Sequence, residues 1–420
     1  MTRRWWAVIV VAVLAAVAVT VGIATSRAQG TTSLQSLSVA QLLARVADAS
    51  KTTSAVSGDI TWSNGLIPGS DLTGLLGGQS SAPTSLSGLA LGGSGRLWLQ
   101  QGSGLRLESQ GSGSDFVVVA GKNGVWSYTS ASSTAAHYAA PAGASAATSA
   151  SPSPQALSVD PLAAITAGLQ RFASTGTVTM SGQTTVAGQP SYLLTMTPTS
   201  ATTTVGSAQV AIDAKTFVPL RVQVFAKDDT TPALSAGFTR VSYGRVSNSL
   251  FTFTPPAGAA VRQQTLPSPN GLLGGTTAAK PAADKPLTLA QATAKASSYG
   301  LTLGVPRQSA LPGALPFAGA TVTAPTKTHG AAAVLHYGSG FGSVVLVESQ
   351  GMSGRAAGLG QQISQLPRGL VTATTIAGGP GYELQTSLVN IAGWRHGTVT
   401  AVAAGLVSPT LLGQFLGAIH

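Results

Sequence analysis

The sequence predicts an α+β protein: an antiparallel sheet with two covering helices, then a smaller α+β domain. Three observations predict it. Period-two runs of apolar residues recur along the chain and are densest between Ser207 and Pro256. Fewer stretches carry the three-to-four spacing of an amphipathic helix. A Pro/Gly/Ala-rich stretch, Pro255 to Pro286, divides a chain of 420 residues, which is too long for one ordinary core.

Composition agrees. Charged residues make up 8% of the chain, where about 25% is usual, and the 51 glycines and 23 prolines suit a loop-rich β protein better than a helical bundle. The formal net charge is +11, but the basic residues are scattered singly, so a nucleic-acid partner is not expected. The chain has no cysteine, which removes disulfides, thiol catalysis and Cys-ligated zinc.

At the N-terminus, Arg3 and Arg4 precede Trp5 to Ala24, 20 residues of which only Thr20 and Gly22 fall outside the apolar set. At 1.5 Å per residue such a helix spans a hydrocarbon core of about 30 Å. The basic flank holds its start in the cytoplasm and places the rest outside. Residues 1–28 therefore read as a signal anchor, or as a signal peptide cleaved after Ala28 at Ser26-Arg27-Ala28.

Ser38 is an N-cap before a helix with Val39, Leu42, Leu43 and Val46 on one face. Gly58 to Trp62 reads as a strand. Leu66 to Gly93 is a Gly/Ser-rich excursion. Arg96–Gln100, Leu105–Ser109, Asp115–Ala120 and Val125–Thr129 are short strands, the last two joined through Asn123-Gly124. Ala131 to Ser158 is Ala/Ser/Pro-rich and reads as a mobile loop. Asp160-Pro161 starts a second helix with Leu162, Ile165, Leu169 and Phe172 along it. Strands follow at Gly176–Met180, Gln183–Ala187 and Tyr192–Thr197. Val210 and Ile212 then alternate with Gln209 and Asp213, and Leu220, Val222 and Val224 with Arg221 and Gln223. Lys227 to Pro232 is a hairpin connection to Leu234–Tyr243, and Phe251–Phe253 closes the set.

Beyond the linker, Thr288 to Ser298 is a helix, and Val334–Tyr337 and Ser343–Ser349 are strands. Leu384–Ile391 and Gly397–Ala403 form a pair turned by Gly393-Trp394-Arg395-His396, and Ser408-Pro409 caps a last helix. The expected domains are 34–258 and 287–420, with 259–286 as linker.

The run VAID…PLRVQVFAK…FTRVSYG…LFTFTPPAG, with the opening VAQLLARVADAS…VSGDITW and the stretch VVVAGKNGVWSYTSASSTAAHY, resembles the LolA/RseB-type lipoprotein-carrier superfamily, especially its actinobacterial members. The resemblance covers about residues 34 to 258. It implies an unclosed antiparallel half-barrel with helices as a lid over an apolar cavity that takes or senses acyl chains. On that reading Trp62, Leu97, Leu99, Val117, Val119, Trp126, Val210, Ile212, Leu220, Val222 and Val224 line the cavity. The lid residues are Leu42, Leu43, Val46, Leu162, Ile165, Leu169 and Phe172. From the residues unaided, the same side chains read first as core, and only the resemblance turns the reading to a cavity. GWRHGTVTAVAAGLVSPTLLGQFLGAI is similar to the small C-terminal domain of RseB-like regulators, and also resembles a small domain common in Gram-positive extracellular proteins.

No catalytic constellation emerges. The five histidines, His137, His329, His336, His396 and His420, are widely separated, and the adjacent carboxylates Asp228-Asp229 sit in a hairpin turn. Gly338-Ser339-Gly340-Phe341-Gly342 lacks the Lys and Ser/Thr of a phosphate loop and reads as a turn. The sequence reads as non-enzymatic, without cofactor or metal. Three functions fit: a membrane-anchored, extracytoplasmic binder of lipid or lipoprotein acyl chains; an RseB-like regulator that binds an anti-sigma factor; or a structural envelope protein that binds other proteins.

Overall fold

A computed structural model describes residues 34–53, 55–66, 92–111, 114–122, 124–139, 175–265, 286–311, 315–325, 330–350 and 371–419. The N-terminal segment, most of the Gly/Ser-rich excursion and the helix expected after Asp160 lie outside these residues. Among the described residues no helix is long and apolar enough to cross a membrane.

The first described element is α1 (Val39–Thr52). It starts where the sequence places it, because Ser38 and Gln41 form a reciprocal cap. The Gln41 amide donates to Ser38 Oγ (3.2 Å) and the Ser38 amide to Gln41 Oε1 (2.8 Å). Twelve strands follow: β1 (Ala55–Asn64), β2 (Gly93–Gln100), β3 (Gly104–Gly111), β4 (Ser114–Gly121), β5 (Gly124–Thr129), β6 (Thr134–Ala139), β7 (Gly176–Val186), β8 (Gln189–Pro198), β9 (Val205–Asp213), β10 (Pro219–Ala226), β11 (Pro232–Tyr243) and β12 (Ala260–Thr265). They form one sheet in the order β12-β6-β5-β4-β3-β2-β1-β11-β10-β9-β8-β7. It is two meanders, β1–β6 and β7–β11, joined where β1 pairs antiparallel with β11. The ends, β12 and β7, do not pair with each other, so the barrel is unclosed.

Bulges bend the second meander, at Pro219/Arg221, Val224/Phe225 and Met180/Gly182, and its junction with β1, at Asp59/Ile60. A bulge adds local twist and bends its strand. β7 and β11 approach each other although three strands separate them in the sheet, so this half is strongly curled. The β9–β10 turn is fixed by Asp213, which is 1% exposed. Its Oδ1 accepts from the amides of Lys215 and Thr216, both at 2.7 Å, and its Oδ2 from the Tyr243 hydroxyl at 2.7 Å. Burial raises the Tyr243 pKa, and the Asp213 carboxylate adds to the effect.

The rest of the chain forms α2 (Leu289–Ser298), β13 (Phe317–Thr323), β14 (Ala332–Tyr337), β15 (Val344–Gln350), β16 (Val371–Ile376), β17 (Gly379–Gln385), β18 (Asn390–His396), β19 (Val399–Gly405) and α3 (Pro409–Gly417). Its sheet runs β13-β14-β15-β19-β18-β17-β16. Ala292 and Ala296 of α2 and Leu411, Leu412, Phe415 and Leu416 of α3 pack with Leu335, Tyr337, Leu346 and Ala403 in one core.

The two sheets meet at the β8–β9 loop. Thr203 bridges Val407, the Thr204 amide donates to the Leu406 carbonyl (2.9 Å), and the Thr204 hydroxyl donates to the Leu388 carbonyl. Val205, Ala226, Ala233 and Leu388 bury a small apolar joint there. Gly342 sits against the same loop. A Cβ at that position would fall 2.2 Å from Ser200 Oγ and 2.4 Å from Thr202 Oγ1, so any larger residue would have to turn these hydroxyls aside.

Several boundaries differ from the sequence reading. Strand β6 lies inside the stretch read as a mobile loop, and β12 inside the expected linker 259–286. Both consist of weakly apolar residues that backbone pairing at the sheet end recruits: β12 runs parallel to β6. Phe251–Phe253 is not a strand; a single 3₁₀ turn, Asn248–Phe251, occupies its start. Gly393 to His396 belong to β18 rather than to a turn. The chain reverses at Gly397, whose φ of +56° supplies the left-handed residue the turn needs.

Candidate functional site

The candidate site is the apolar surface of the twelve-stranded sheet. Its first part lies under α1. Leu42 and Val46 are buried there, with Leu43 packed beside them, against Tyr192, Leu194 and Met196 of β8 and Ala208, Val210 and Ile212 of β9. The Tyr192 hydroxyl donates to the Gln35 carbonyl (2.9 Å) and ties down the approach to the helix. The Arg45 guanidinium lies over the Phe217 ring, 5.4 Å from its centroid.

The second part is larger. Trp62, Leu97, Leu99 and Leu220 pack with Val56, Ile60, Leu107, Phe116, Val118 and Phe238. Val222 stands between the two clusters and packs against both, and Val224 packs against the α1 cluster and the joint between the sheets. The structure thus brings eight of the eleven expected wall residues into two adjoining clusters.

Val117, Val119 and Trp126 do not join them, and the expectation of one shared floor is corrected. Register sets Leu97 opposite Leu107, Leu107 opposite Val118 and Val118 opposite Ser127. Directly opposed residues share a face, and neighbours along a strand alternate. Val117 and Val119 therefore face away from Leu97 and Leu99. Three consecutive valines, Val117 to Val119, hide this phase in the sequence. Trp126, opposite Val119, stacks on His137 on that other face (ring centroids 4.3 Å apart, 19° between planes), with Phe253 at 5.7 Å. Leu162, Ile165, Leu169 and Phe172 lie outside the described residues.

Sequence reasoning missed the burial of polar groups on the reverse face of this sheet. Arg221, half-buried on β10, donates to Thr184 Oγ1 at 3.5 Å. Burial lowers its pKa below the usual arginine value. The alternation that marked Arg221 as outward was correct in phase, but curl and bulges, invisible in the pattern, take it out of full solvent.

Two clefts lie away from all of these residues. One, of about 500 Å³, runs between the sheets and is lined by Thr202, Thr204, Lys227, Ser387, Ser408 and Gln414 among others. The other, of about 520 Å³, lies between the β16–β17 hairpin and α3. Among the described residues no group of three or more His, Asp or Glu side chains is placed to hold a metal ion.

No protein-family model matches this chain, and neither does any curated protein. Among solved structures it is similar to MucB in complex with MucA(peri), at 12% identity and a TM-score of 0.42, over 91% of this chain and 98% of that one. It is also similar to the MucA/MucB complex of Pseudomonas aeruginosa (14% identity, TM-score 0.40, over 90% and 97%). A third likeness is to a putative outer membrane lipoprotein-sorting protein domain from Vibrio parahaemolyticus (11% identity, TM-score 0.21, over 50% and 95%). Likenesses this distant say nothing of ligand or partner.

Proposed function

We propose that this chain is a non-enzymatic, extracytoplasmic binding protein, tethered by its N-terminal segment, that holds acyl chains of lipid or lipoprotein against the apolar surface of the large sheet. One observation carries the reading. The apolar surface continues past β8 and β9 into β1–β4, whereas α1, the one described helix that lies on this sheet, packs on β8 and β9. These β1–β4 side chains are buried (Leu97 2%, Leu99 1%, Trp62 9% exposed), so on this reading an acyl guest takes the place of what packs against them. Each CH₂ taken from water gains about 0.8 kcal/mol, so a chain of roughly fourteen carbons gains on the order of 10 kcal/mol. Ordering costs reduce this. Such binding needs few charges, which agrees with the composition.

Mass spectrometry of organic extracts from the purified chain tests the proposal. An acyl-bearing molecule in near-stoichiometric amount supports it; an extract free of lipid, from protein that also fails to take up added fatty acid, rejects it. The second reading is a regulator that binds an anti-sigma factor or another envelope protein. The open sheet ends favour it, since among the described residues β7 pairs on one side only and offers an edge to which an extended peptide can add.

A further inference from the structure

One end of the large sheet gathers apolar and basic side chains where the N-terminal segment joins the fold. Strand β9 runs from Val205, at the joint with the second sheet, to Asp213, roughly 27 Å along the strand. The second sheet is therefore remote from the Asp213 end. Three contacts assemble that end. Tyr192, opposite Ile212, holds the Gln35 carbonyl and so fixes Leu34 and Leu37 there. Tyr243, which is 37% exposed, donates its hydroxyl to Asp213. The β9–β10 turn carries Lys215 and Phe217, and the Arg45 guanidinium reaches over the Phe217 ring from α1.

Phe217 is the unexpected member. Its φ is +58°, a left-handed conformation that a bulky side chain adopts only under strain. Its ring packs on the rim of the α1 cluster, as Leu34 and Leu37 do, yet all three stay partly exposed. A rim of this kind is ordinary on a folded surface. Its position is not. The apolar stretch of the N-terminal segment ends at Ala24 and Leu34 follows ten residues later, a reach of at most about 35 Å. A tether so short holds this end of the sheet, rather than the joint or the second sheet, beside the bilayer. We infer that Leu34, Leu37, Phe217 and Tyr243, with Arg45 and Lys215, rest on the surface of the membrane that anchors the chain, and that they select anionic lipid. Aromatic rings settle at the head-group level, and exposed cations beside them meet anionic head groups. Arg45 and Lys215 are both exposed. Of the nearby carboxylates, Asp213 is buried with both oxygens bonded to protein donors, and Asp48 is exposed three residues past Arg45. The formal net charge of +11 adds a general attraction to an anionic surface. This rests on the reading above in taking the N-terminal segment as a membrane tether.

The test places the full chain in phosphatidylcholine vesicles with or without phosphatidylglycerol. The chain has no cysteine, so single variants take one fluorophore each. Ser242→Cys puts it on an exposed residue beside Tyr243, and Asp229→Cys puts it on an exposed residue in the β10–β11 turn, at the opposite end of β10. A spin label on the lipid head group quenches the fluorophore beside Tyr243 at least threefold more than the one in the turn, and phosphatidylglycerol widens the difference. Arg45→Glu together with Lys215→Glu abolishes the phosphatidylglycerol effect. Phe217→Asn, which suits left-handed backbone, lowers the quenching in both lipids. Should Phe217→Asn unfold through its lost packing, the charge reversals, which leave the core alone, decide. Equal quenching at the two positions, or a phosphatidylglycerol effect that survives both charge reversals, overturns the docking; retention of the chain through a carbonate wash then leaves the tether intact. A chain that carbonate strips from the vesicles has no tether, and the docking then stands only if the quenching difference was present before the wash.

Discussion

Tyr337 shows how a single side chain sets a pH limit on this fold. It is fully buried in the second sheet, edge-on to Phe415 at 4.9 Å, and among the described residues its hydroxyl has no hydrogen-bond partner. Burial raises its pKa, and the buried Glu348 carboxylate adds to the effect. A folded-state pKa above the unfolded one means that the unfolded chain loses its proton first. The contribution is therefore fully present below about pH 10, the unfolded tyrosine value, and is lost as pH rises above it. Denaturant unfolding at stepped pH should show stability falling above about pH 10, with Tyr337→Phe reducing the slope. At pH 7 the same substitution should be neutral or stabilising, because it removes a buried hydroxyl that bonds to nothing. A loss of more than about 1 kcal/mol at pH 7 would mean that the hydroxyl has a partner.

At the scale of elements, α1 depends on its cap as much as on its apolar stripe. Ser38→Ala removes an acceptor for the Gln41 amide and breaks the reciprocal box, at a cost of about 1 kcal/mol. Because Leu42 and Val46 cover β8 and β9, fraying of the first turn should also show as faster hydrogen exchange at Leu42 and Leu43. Exchange unchanged in this variant would mean that packing alone holds the helix. This cap was legible in the sequence, as were the β4–β5 and β10–β11 hairpins, because caps and turns are written in a few adjacent residues. Strands β6 and β12 were not legible. Thr134-Ala135-Ala136 has little apolar contrast, and its strand exists because β5 lies on one side and β12 on the other. The site was half legible for a related reason. Alternation identified Trp62, Leu97, Leu99, Val210, Ile212 and Val222 as apolar, but which residues face one another depends on register, and bulges such as Asp59/Ile60 shift register without a sequence signal.

At the scale of the whole molecule, the chain is two sheets held at one joint. Thr203, Thr204 and Leu388 carry it, and the β8–β9 hairpin that reaches the joint also lies under α1. We place the domain boundary after Thr265 rather than at 258, since β12 completes the first sheet. The central claim, an acyl chain on the large sheet, is tested most directly by titrating the chain with a fluorescent fatty acid and displacing it with an unlabelled one. Val222 touches both apolar clusters, so a charge there should be left unpaired beside the guest at a cost of several kcal/mol. The account predicts saturable binding by the parent and by Thr185→Asp on the exposed part of β7, with loss of at least tenfold in affinity for Val222→Asp and several-fold for the isosteric Val222→Thr, all folded by circular dichroism. A parent that binds no fatty acid, or a folded Val222→Asp that binds as tightly as the parent, would contradict it.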